Sequence, residues 1–338
     1  MTRLELTRKW QESPVDQTFR PRAVKSSEGN VRIISSGHSV PVKILSNAAL
    51  STSSPIDAEW VERKLGIRER RIVESSETTS DLAFRACKQA LELGDVAEGS
   101  VDLLIVATAT PDKQAPSTAC ILSAKLGLCR AAAFDVSAVC CGFIYALATA
   151  SLFLKSGAAN RVLVVGADTF SRVTDWNSQD SAFFGDGAGA IILERGGETH
   201  GRFVFSLTAD TQGVDCFAIP ARGTFEMDGR GVYKFARRLI RESVSDVLSI
   251  AGVSSNEIAS VIPHQASLTL LRDVSGDIGV SLDKFHLNMN RLANTAGGTV
   301  PIAFSEAWQD NAFKAEDWTL FFAAGAGMTA GAALYQWS

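Results

Sequence analysis

The segment AAAFDVSAVCCGFIYALATASLFLKSG, residues 131–157, contains a short apolar strand pattern followed directly by an apolar helix pattern. The strand AAAFDVS is expected to lead into a tight turn, and the helix is expected to begin at Gly142 and to end at Gly157. Cys140 lies in that turn, where unpaired N–H groups and the positive end of the helix dipole favour a thiolate. This order of elements predicts an α/β fold with a cysteine at a strand end.

Cys140 also has a simpler interpretation, because a free cysteine is more often a small buried apolar residue than a nucleophile. The adjacent Cys141 points elsewhere from the same turn and is expected to pack in the core. Position alone leaves both interpretations of Cys140 open.

Two further polar residues lie in comparable places. His264 follows the apolar strand pattern IASVIP, and α/β enzymes place their chemistry at such strand ends. Asn294 lies in the small-residue segment LANTAGGTVP, before a helix that Pro301 helps to begin. A lone histidine is more often structural, and an asparagine among small residues often only forms a turn. Both interpretations remain open at this point.

Strand and helix patterns alternate along the rest of the chain, as in βαβ units around a parallel sheet. Strands are expected from Val31 and at residues 101–110, 161–168, 258–263, 318–324 and 330–337; helices are expected at residues 81–93, 117–126, 233–250 and 300–311 and from Leu268. The first 28 residues are polar and aperiodic. The pattern therefore predicts an N-terminal extension at 1–28 and two similar halves at 29–195 and 196–338, whose strand ends meet at a shared cleft.

The composition excludes several classes of protein. The 338 residues are 46% hydrophobic and 21% charged, which is typical of a globular protein, and the formal net charge of −4 argues against a dedicated nucleic-acid binder. The longest apolar stretch, residues 143–154, is expected to be too short for a membrane span and to form a buried helix. No signal peptide pattern is present, and six irregularly spaced cysteines favour reduced thiols in the cytoplasm.

Seven segments, in this order along the chain, resemble the β-ketoacyl-ACP synthase III enzymes of the thiolase superfamily. They are IISSGHSVP, EWVERKLGIRERR, AFDVSAVCCGF, FFGDGAGAIIL, VIPHQAS, LANTAGGTVP and GAGMTAGAAL. The resemblance runs from about Val31 to the C-terminus. It implies a thiolase-like duplicated fold in which two βαβ-type halves form a layered αβαβα core. It also implies a homodimer that uses thioester substrates and needs neither a cofactor nor a metal.

The resemblance assigns the catalytic roles to Cys140, His264 and Asn294. An acyl-CoA primer would acylate Cys140, and a malonyl thioester would then lose carbon dioxide beside His264 and Asn294. The resulting carbanion would attack the acyl group, a decarboxylating Claisen condensation of fatty acid or specialised acyl or polyketide biosynthesis. The backbone N–H groups of Cys140 and Ala326 are implied to form the oxyanion hole.

The same resemblance implies a CoA site with several departures from the family pattern. Trp60 and Arg172 match the pair that sandwiches the adenine, and Lys64 stands where an arginine is typical. Arg230 replaces an asparagine that touches the pantetheine arm, and Ser267 replaces another common asparagine. These changes concern the carrier contacts and leave the three catalytic positions intact.

Two alanines predict a roomier acyl pocket than in acetyl-selective relatives. Ala115 and Ala324 fall where well-known relatives carry phenylalanine. Ala115 is expected to come from the partner subunit of the homodimer and to close the far end of the acyl channel. Phe184 and Met227 are expected to line the same pocket, and refilling of the space by such neighbours is the alternative.

A basic stripe of four residues recurs at helical spacing: Lys234, Arg237, Arg238 and Arg241. It predicts either a docking face for an acidic acyl carrier protein or an ordinary solvated surface.

Two other functions remain as alternatives. The chain could pass the acyl group from Cys140 to an alcohol or amine without condensation, although Asn294 favours decarboxylation. It could also be a non-catalytic partner subunit, which the intact set of cysteine, histidine and asparagine disfavours. Degradative thiolases need a second cysteine near the C-terminus, and none follows Cys216; elongating ketosynthases use two histidines, and none follows His286.

Overall fold

Fourteen strands are present among residues 23–25, 30–196 and 201–338, which the computed structural model describes. In chain order they are β1 (Val24–Lys25), β2 (Val31–Ser39), β3 (Ile44–Ser46), β4 (Glu69–Arg71), β5 (Leu103–Ala107), β6 (Ala132–Val136), β7 (Arg161–Thr169), β8 (Asp186–Arg195), β9 (Phe203–Ala209), β10 (Phe217–Ala218), β11 (Glu226–Met227), β12 (Ile258–Pro263), β13 (Trp318–Gly325) and β14 (Thr329–Gln336).

Six helices of nine or more residues lie within the same described residues. They are α1 (Thr79–Leu93), α2 (Thr118–Leu126), α3 (Gly142–Ser156), α4 (Gly229–Ala251), α5 (Leu268–Ile278) and α6 (Thr299–Gln309). Single helical turns add Asn47–Leu50, Ala58–Trp60 and Met289–Leu292.

The two large sheets repeat one strand order. The first runs β2-β8-β7-β5-β6 and the second β1-β9-β14-β13-β12. In both, an antiparallel trio (β2-β8-β7 or β9-β14-β13) is extended by a parallel strand, β5 or β12. A single parallel bridge from Phe285 to Val261 takes the place in the second sheet that β6 takes in the first. The duplication expected from the pattern is therefore present in the sheet topology.

Five layers result from the way the helices cover these sheets. Helices α1 and α2 pack on the outer face of the first sheet, and α4 and α5 pack on the outer face of the second. Helices α3 and α6 lie between the sheets, in one core cluster with apolar residues of both, such as Ile105 and Phe321. The predicted αβαβα layering is confirmed.

The N-terminal extension is not wholly outside the fold, and here the expectation that regular structure begins at Val31 is wrong. Val24 and Lys25 pair with Leu207 and Ser206 on the edge of the second sheet. The Lys25 ammonium lies 2.5 Å from an oxygen of Asp246 on α4. A strand of two residues is too short to show the alternation of apolar and polar residues by which a strand is predicted from the sequence. Residues 1–22 and 26–28 of the extension lie outside the described residues.

Two helix starts differ from their predicted positions because capping residues, not apolar spacing, fix them. Helix α1 begins at Thr79, where Thr78 and Asp81 form a reciprocal capping box. Helix α4 begins at Gly229, four residues before the apolar pattern starts, because the Asp228 side chain accepts the N–H of Arg230.

The most apolar helical segment is part of the core. Residues 139–156 are long and apolar enough to cross a membrane by length and composition, so the expectation that this stretch is too short is wrong. Its packing between the two sheets accounts for its composition, since 61% of the segment is buried inside the protein.

Candidate active site

A cavity of about 1100 Å³ opens where the two sheets bring their strand ends together. Its wall carries Cys140, His264 and Asn294, which lie far apart in the sequence. The three residues that the sequence analysis favoured are thus brought to one site.

The turn that holds Cys140 is closely constrained. Strand β6 ends at Val136, a single helical turn covers Val139–Cys141, and α3 begins at Gly142. Val139 has a φ of 46°, a left-handed conformation that costs a β-branched residue free energy and is typical of functional sites.

Gly325 allows the end of β13 to approach this turn. A side chain on Gly325 would place a Cβ only 2.6 Å from the carbonyl oxygen of Ala138 and 3.1 Å from the nitrogen of Cys140. The close approach brings Ala326 to the cavity wall beside Cys140. Cys141 is fully buried and directs its thiol at the carbonyl of Ala323, 3.5 Å away.

The electrostatics of Cys140 differ from those of an isolated helix start. Burial raises the pKa of the Cys140 thiol well above its usual range, and the nearby carboxylate of Asp168 raises it further. The backbone N–H of Cys140 and the side chain of Asn294 act in the opposite direction by hydrogen bonding to the sulfur. Cys140 therefore rests as a thiol, so a reaction at its sulfur needs a base.

His264 provides a neutral imidazole on the same wall. It follows β12, and its backbone N–H donates to the carbonyl of Phe322, 2.8 Å away. Burial lowers the pKa of His264 to about 4. Its buried Nδ1 has no hydrogen-bond partner within the described part of the chain. The ring is therefore uncharged near neutral pH.

Asn294 is oriented by its own segment so that it donates into the cavity. Its Oδ1 accepts the N–H of Ala296 at 2.8 Å and the hydroxyl of Thr299 at 3.4 Å. Because both contacts use the carbonyl end, the NH₂ end is left for Cys140 and for a bound substrate. Ala293 and Ala296 both have positive φ, 57° and 48°, which shows how sharply the backbone turns here.

Sequence reasoning missed Asp168, at the end of β7. Its Oδ2 accepts the N–H of Gly297, 2.8 Å away in the segment of Asn294. Its Oδ1 accepts the N–H groups of Ala109 and Thr110 at 2.8 and 3.0 Å, and the hydroxyls of Thr108 and Thr110. Burial raises the pKa of Asp168 to about 6, against these hydrogen bonds. The carboxylate ties the end of β5 to the segment of Asn294.

The predicted CoA-binding and acyl-pocket residues divide into two groups. Seven line the cavity: Trp60, Lys64, Arg230, Ser267, Phe184, Met227 and Ala324. Arg172 is not on the wall, and its guanidinium donates to the backbone carbonyls of Ser75 and Glu77. Ala115 is exposed on the surface of the single chain, away from the cavity.

Two of the four residues of the basic stripe on α4 pair with acids. Arg237 bridges to α5, with contacts of 3.1 Å to Asp273 and 2.6 Å to Asp277. Arg238 pairs with the buried carboxylate of Asp210 and, 3.6 Å away, with Glu242. Lys234 and Arg241 are the exposed members. Half of the stripe therefore serves contacts within the chain.

No group of three or more His, Cys, Asp or Glu side chains is arranged to hold a metal ion among residues 23–25, 30–196 and 201–338. All six cysteines lie in these ranges and are free thiols.

Comparison with known proteins gives a consistent result over the whole fold. Residues 134–213 match the model of 3-oxoacyl-[acyl-carrier-protein (ACP)] synthase III, and residues 248–337 match the model of its C-terminal part. A β-ketoacyl-[acyl-carrier-protein] synthase III of Oceanobacillus iheyensis is 37% identical, with 91% of this chain and 99% of the relative covered. One of Erythrobacter litoralis is 39% identical, with 89% and 98% covered.

Solved structures show the same similarity. The 3-oxoacyl-[acyl-carrier-protein] synthase III of Aquifex aeolicus superposes with a TM-score of 0.88 at 36% identity, covering 91% of this chain and 100% of that one. The priming β-ketosynthase of the R1128 polyketide biosynthetic pathway superposes with a TM-score of 0.86 at 27% identity, covering 92% and 97%.

Proposed function

The chain belongs to the 3-oxoacyl-[acyl-carrier-protein] synthase III family of acyltransferases, and on that basis we propose how its own residues condense an acyl-CoA with malonyl-ACP. The observation that carries the proposal is the convergence of Cys140, His264 and Asn294 on one cavity wall.

The first half-reaction is acyl transfer to Cys140. Because burial keeps the thiol protonated, neutral His264 accepts its proton as the sulfur attacks the thioester carbonyl. The backbone N–H groups of Cys140 and Ala326 hold the oxyanion of the tetrahedral intermediate. The intermediate collapses to acyl-Cys140, and the CoA thiolate leaves with the proton from His264.

The second half-reaction is decarboxylation followed by condensation. The C–C bond of the malonyl thioester breaks, carbon dioxide leaves, and an enolate forms on the thioester oxygen. His264 and the NH₂ group of Asn294 donate hydrogen bonds to that oxygen. The enolate carbon attacks the acyl-Cys140 carbonyl and the Cys140 thiolate leaves the β-ketoacyl product. The thiolate then takes up a proton from solvent, which restores the thiol. A buried, uncharged histidine suits this step because it donates without protonating the carbanion.

The proposal extends to carriers, assembly and location. Trp60, Lys64, Arg230 and Ser267, at the wall of the cavity, are the proposed contacts of the CoA or carrier arm. No metal or cofactor takes part in the proposed chemistry. We propose a homodimer, because Ala115 is exposed and is available to a partner subunit. The free state of all six thiols supports a cytoplasmic location.

The test of the proposed function is the site of acylation. Intact-mass spectrometry after incubation with an acyl-CoA is expected to show one added acyl group, mapped to Cys140. Cys140→Ala abolishes the added mass, whereas the matched variant Cys141→Ala keeps it. A label that survives Cys140→Ala and disappears in Cys141→Ala would overturn the assignment. Carbon dioxide release from malonyl-ACP distinguishes condensation from acyl transfer to an alcohol or amine.

A further inference from the structure

Arg70, on β4, is a fully buried cation that forms no ion pair within the described part of the chain. Burial lowers the pKa of its guanidinium to about 10, against the opposing effect of Glu69, so the charge persists at neutral pH. Its donors go to neutral oxygens. Nη1 donates to the carbonyl of Leu45 at 3.0 Å, and Nη2 donates to Oδ1 of Asn47 at 2.8 Å and to the carbonyl of Ala182 at 3.0 Å. An apolar side chain would fill this space without the cost of burying a charge, so these three contacts are what an arginine adds here.

Ala182 leads directly into the three residues that hold the backbone of Asn294. The carbonyl of Phe183 accepts the N–H of Asn294 at 3.1 Å, and the carbonyl of Asn294 accepts the N–H of Gly185 at 3.0 Å. These two bonds pair Phe184 with Asn294 in a parallel bridge. The guanidinium contact therefore lies one residue before the bonds that place Asn294.

The stem of the Arg70 side chain packs against the same bridge. A side chain on Gly185 would place a Cβ 3.1 Å from the Cβ of Arg70 and 2.5 Å from the carbonyl oxygen of Leu292. The N–H of Arg68, also before β4, donates to the carbonyl of Asn290 at 2.8 Å. The β4 region thus contacts both segments that form the bridge, whereas Arg70 is not among the residues that line the cavity. An effect of its hydrogen bonds on the reaction is therefore indirect.

We propose that Arg70 is a positioning residue for decarboxylation, which fixes the place of Asn294 through its contact with Ala182. The proposal rests on the proposed function, in which the NH₂ group of Asn294 donates to the enolate oxygen. A lysine keeps the charge, but its single nitrogen cannot reproduce the planar fork that reaches Leu45, Asn47 and Ala182. Because misplacement of about 1 Å costs up to roughly a hundredfold in rate, Arg70→Lys should lower carbon dioxide release from malonyl-ACP at least about tenfold.

Acylation of Cys140 is expected to change much less. Cys140 is held by the turn between β6 and α3, and His264 is held by β12 and by its bond to Phe322 on β13. The side chain of Arg70 makes no hydrogen bond to these elements within the described residues. The two half-reactions therefore separate an effect on Asn294 from a general loss of activity.

The experiment measures both half-reactions in Arg70→Lys and in Arg71→Lys, the matched control on the same strand. The guanidinium of Arg71 donates to the carbonyl of Val42 at 3.5 Å and not to Ala182. Acylation by acetyl-CoA is followed by intact mass, and carbon dioxide release is measured with malonyl-ACP. Asn47→Ala removes one acceptor of the guanidinium and is a second variant if Arg70→Lys does not fold. Urea unfolding establishes that each variant is folded under the assay conditions.

A double-mutant cycle with Asn294→Ala distinguishes positioning from a purely structural role. If Arg70 acts through Asn294, Arg70→Lys has little left to remove once the amide is absent. Carbon dioxide release by the double variant should then lie within about twofold of that of Asn294→Ala alone. A purely structural role lowers the rate by the same factor in both backgrounds.

The expected result is a selective loss of carbon dioxide release in Arg70→Lys that Arg71→Lys does not share and that Asn294→Ala abolishes. The proposal is overturned if Arg70→Lys lowers both half-reactions equally, if its effect multiplies with that of Asn294→Ala, or if Arg71→Lys shows the same selective loss. The same criteria apply to Asn47→Ala. In those cases acylation of Cys140 still supports the proposed function, whereas a wild type that no acyl-CoA acylates overturns both.

Discussion

Asp168→Asn is expected to lower the free energy of unfolding although it replaces only one carboxylate oxygen by an NH₂ group. The amide oxygen can still accept the four hydrogen bonds that Oδ1 accepts from Thr108, Ala109 and Thr110. The new NH₂ group then replaces Oδ2, which in the wild type accepts the N–H of Gly297 at 2.8 Å, so two donors face each other. Two buried donors are left without acceptors. Since each unpaired buried donor costs about 1–3 kcal/mol, the free energy of unfolding is expected to fall by about 2–6 kcal/mol.

The same variant has an effect on Cys140 that a purely structural role would not produce. The Asp168 carboxylate raises the pKa of the Cys140 thiol, after burial, so removing the charge lowers that pKa. Displacing Gly297 also moves the segment of Asn294, and misplacement of about 1 Å costs up to roughly a hundredfold in rate. Carbon dioxide release should therefore fall more than acylation of Cys140.

The assays are urea unfolding, the pH dependence of Cys140 alkylation followed by peptide mapping, and the two half-reactions. Asp186→Asn is the matched control. Asp186 is also a buried acid, but its carboxylate accepts hydrogen bonds from Val73 and Ser171 and not, within the described residues, from the segment of Asn294. The reasoning is refuted if Asp168→Asn unfolds within about 1 kcal/mol of the wild type and the Cys140 titration stays in place.

Three other predictions concern separate parts of the site. Asn294→Ala removes one oxyanion donor, so carbon dioxide release should fall about a hundredfold or more while acylation of Cys140 stays measurable; an equal fall in both half-reactions contradicts the assigned role. The pKa of His264 is lowered from 6.5 to about 4, so its stabilisation is complete above pH 6.5 and is lost as the pH falls toward 4. Urea unfolding between pH 7 and 5 should therefore lose about 2 kcal/mol through this residue, a loss missing in His264→Gln. Lys234→Glu with Arg241→Glu should weaken turnover with malonyl-ACP more than acylation by acyl-CoA, and more so at low salt; equal effects would indicate a solvated surface.

The elements that the sequence predicts well are those whose pattern is local. The buried strand β5 and the strand that ends at Pro263 need only an apolar run, and the helix after Ser117 needs only a capping residue and helical spacing. Cys140 is found in the same way, because the strand, turn and helix that hold it are consecutive. His264 is recognisable as a strand-end residue and Asn294 as part of a small-residue segment before a helix, but only the folded chain shows that they reach the same cavity as Cys140.

What the sequence does not predict depends on partners that are distant along the chain. Helical spacing correctly predicts that the four basic residues recur on one side of α4, but it cannot show that Asp273 and Asp277 approach from α5 or that Asp210 approaches from the end of β9. The same limit hides Asp168, whose hydrogen bonds come from the end of β5 and from Gly297, segments that only the sheet order brings together. In both cases the charge is visible in the sequence and its partner is not. A charged residue can therefore be assigned to docking only after its partners within the fold are known, and for Arg237 those partners join α4 to α5.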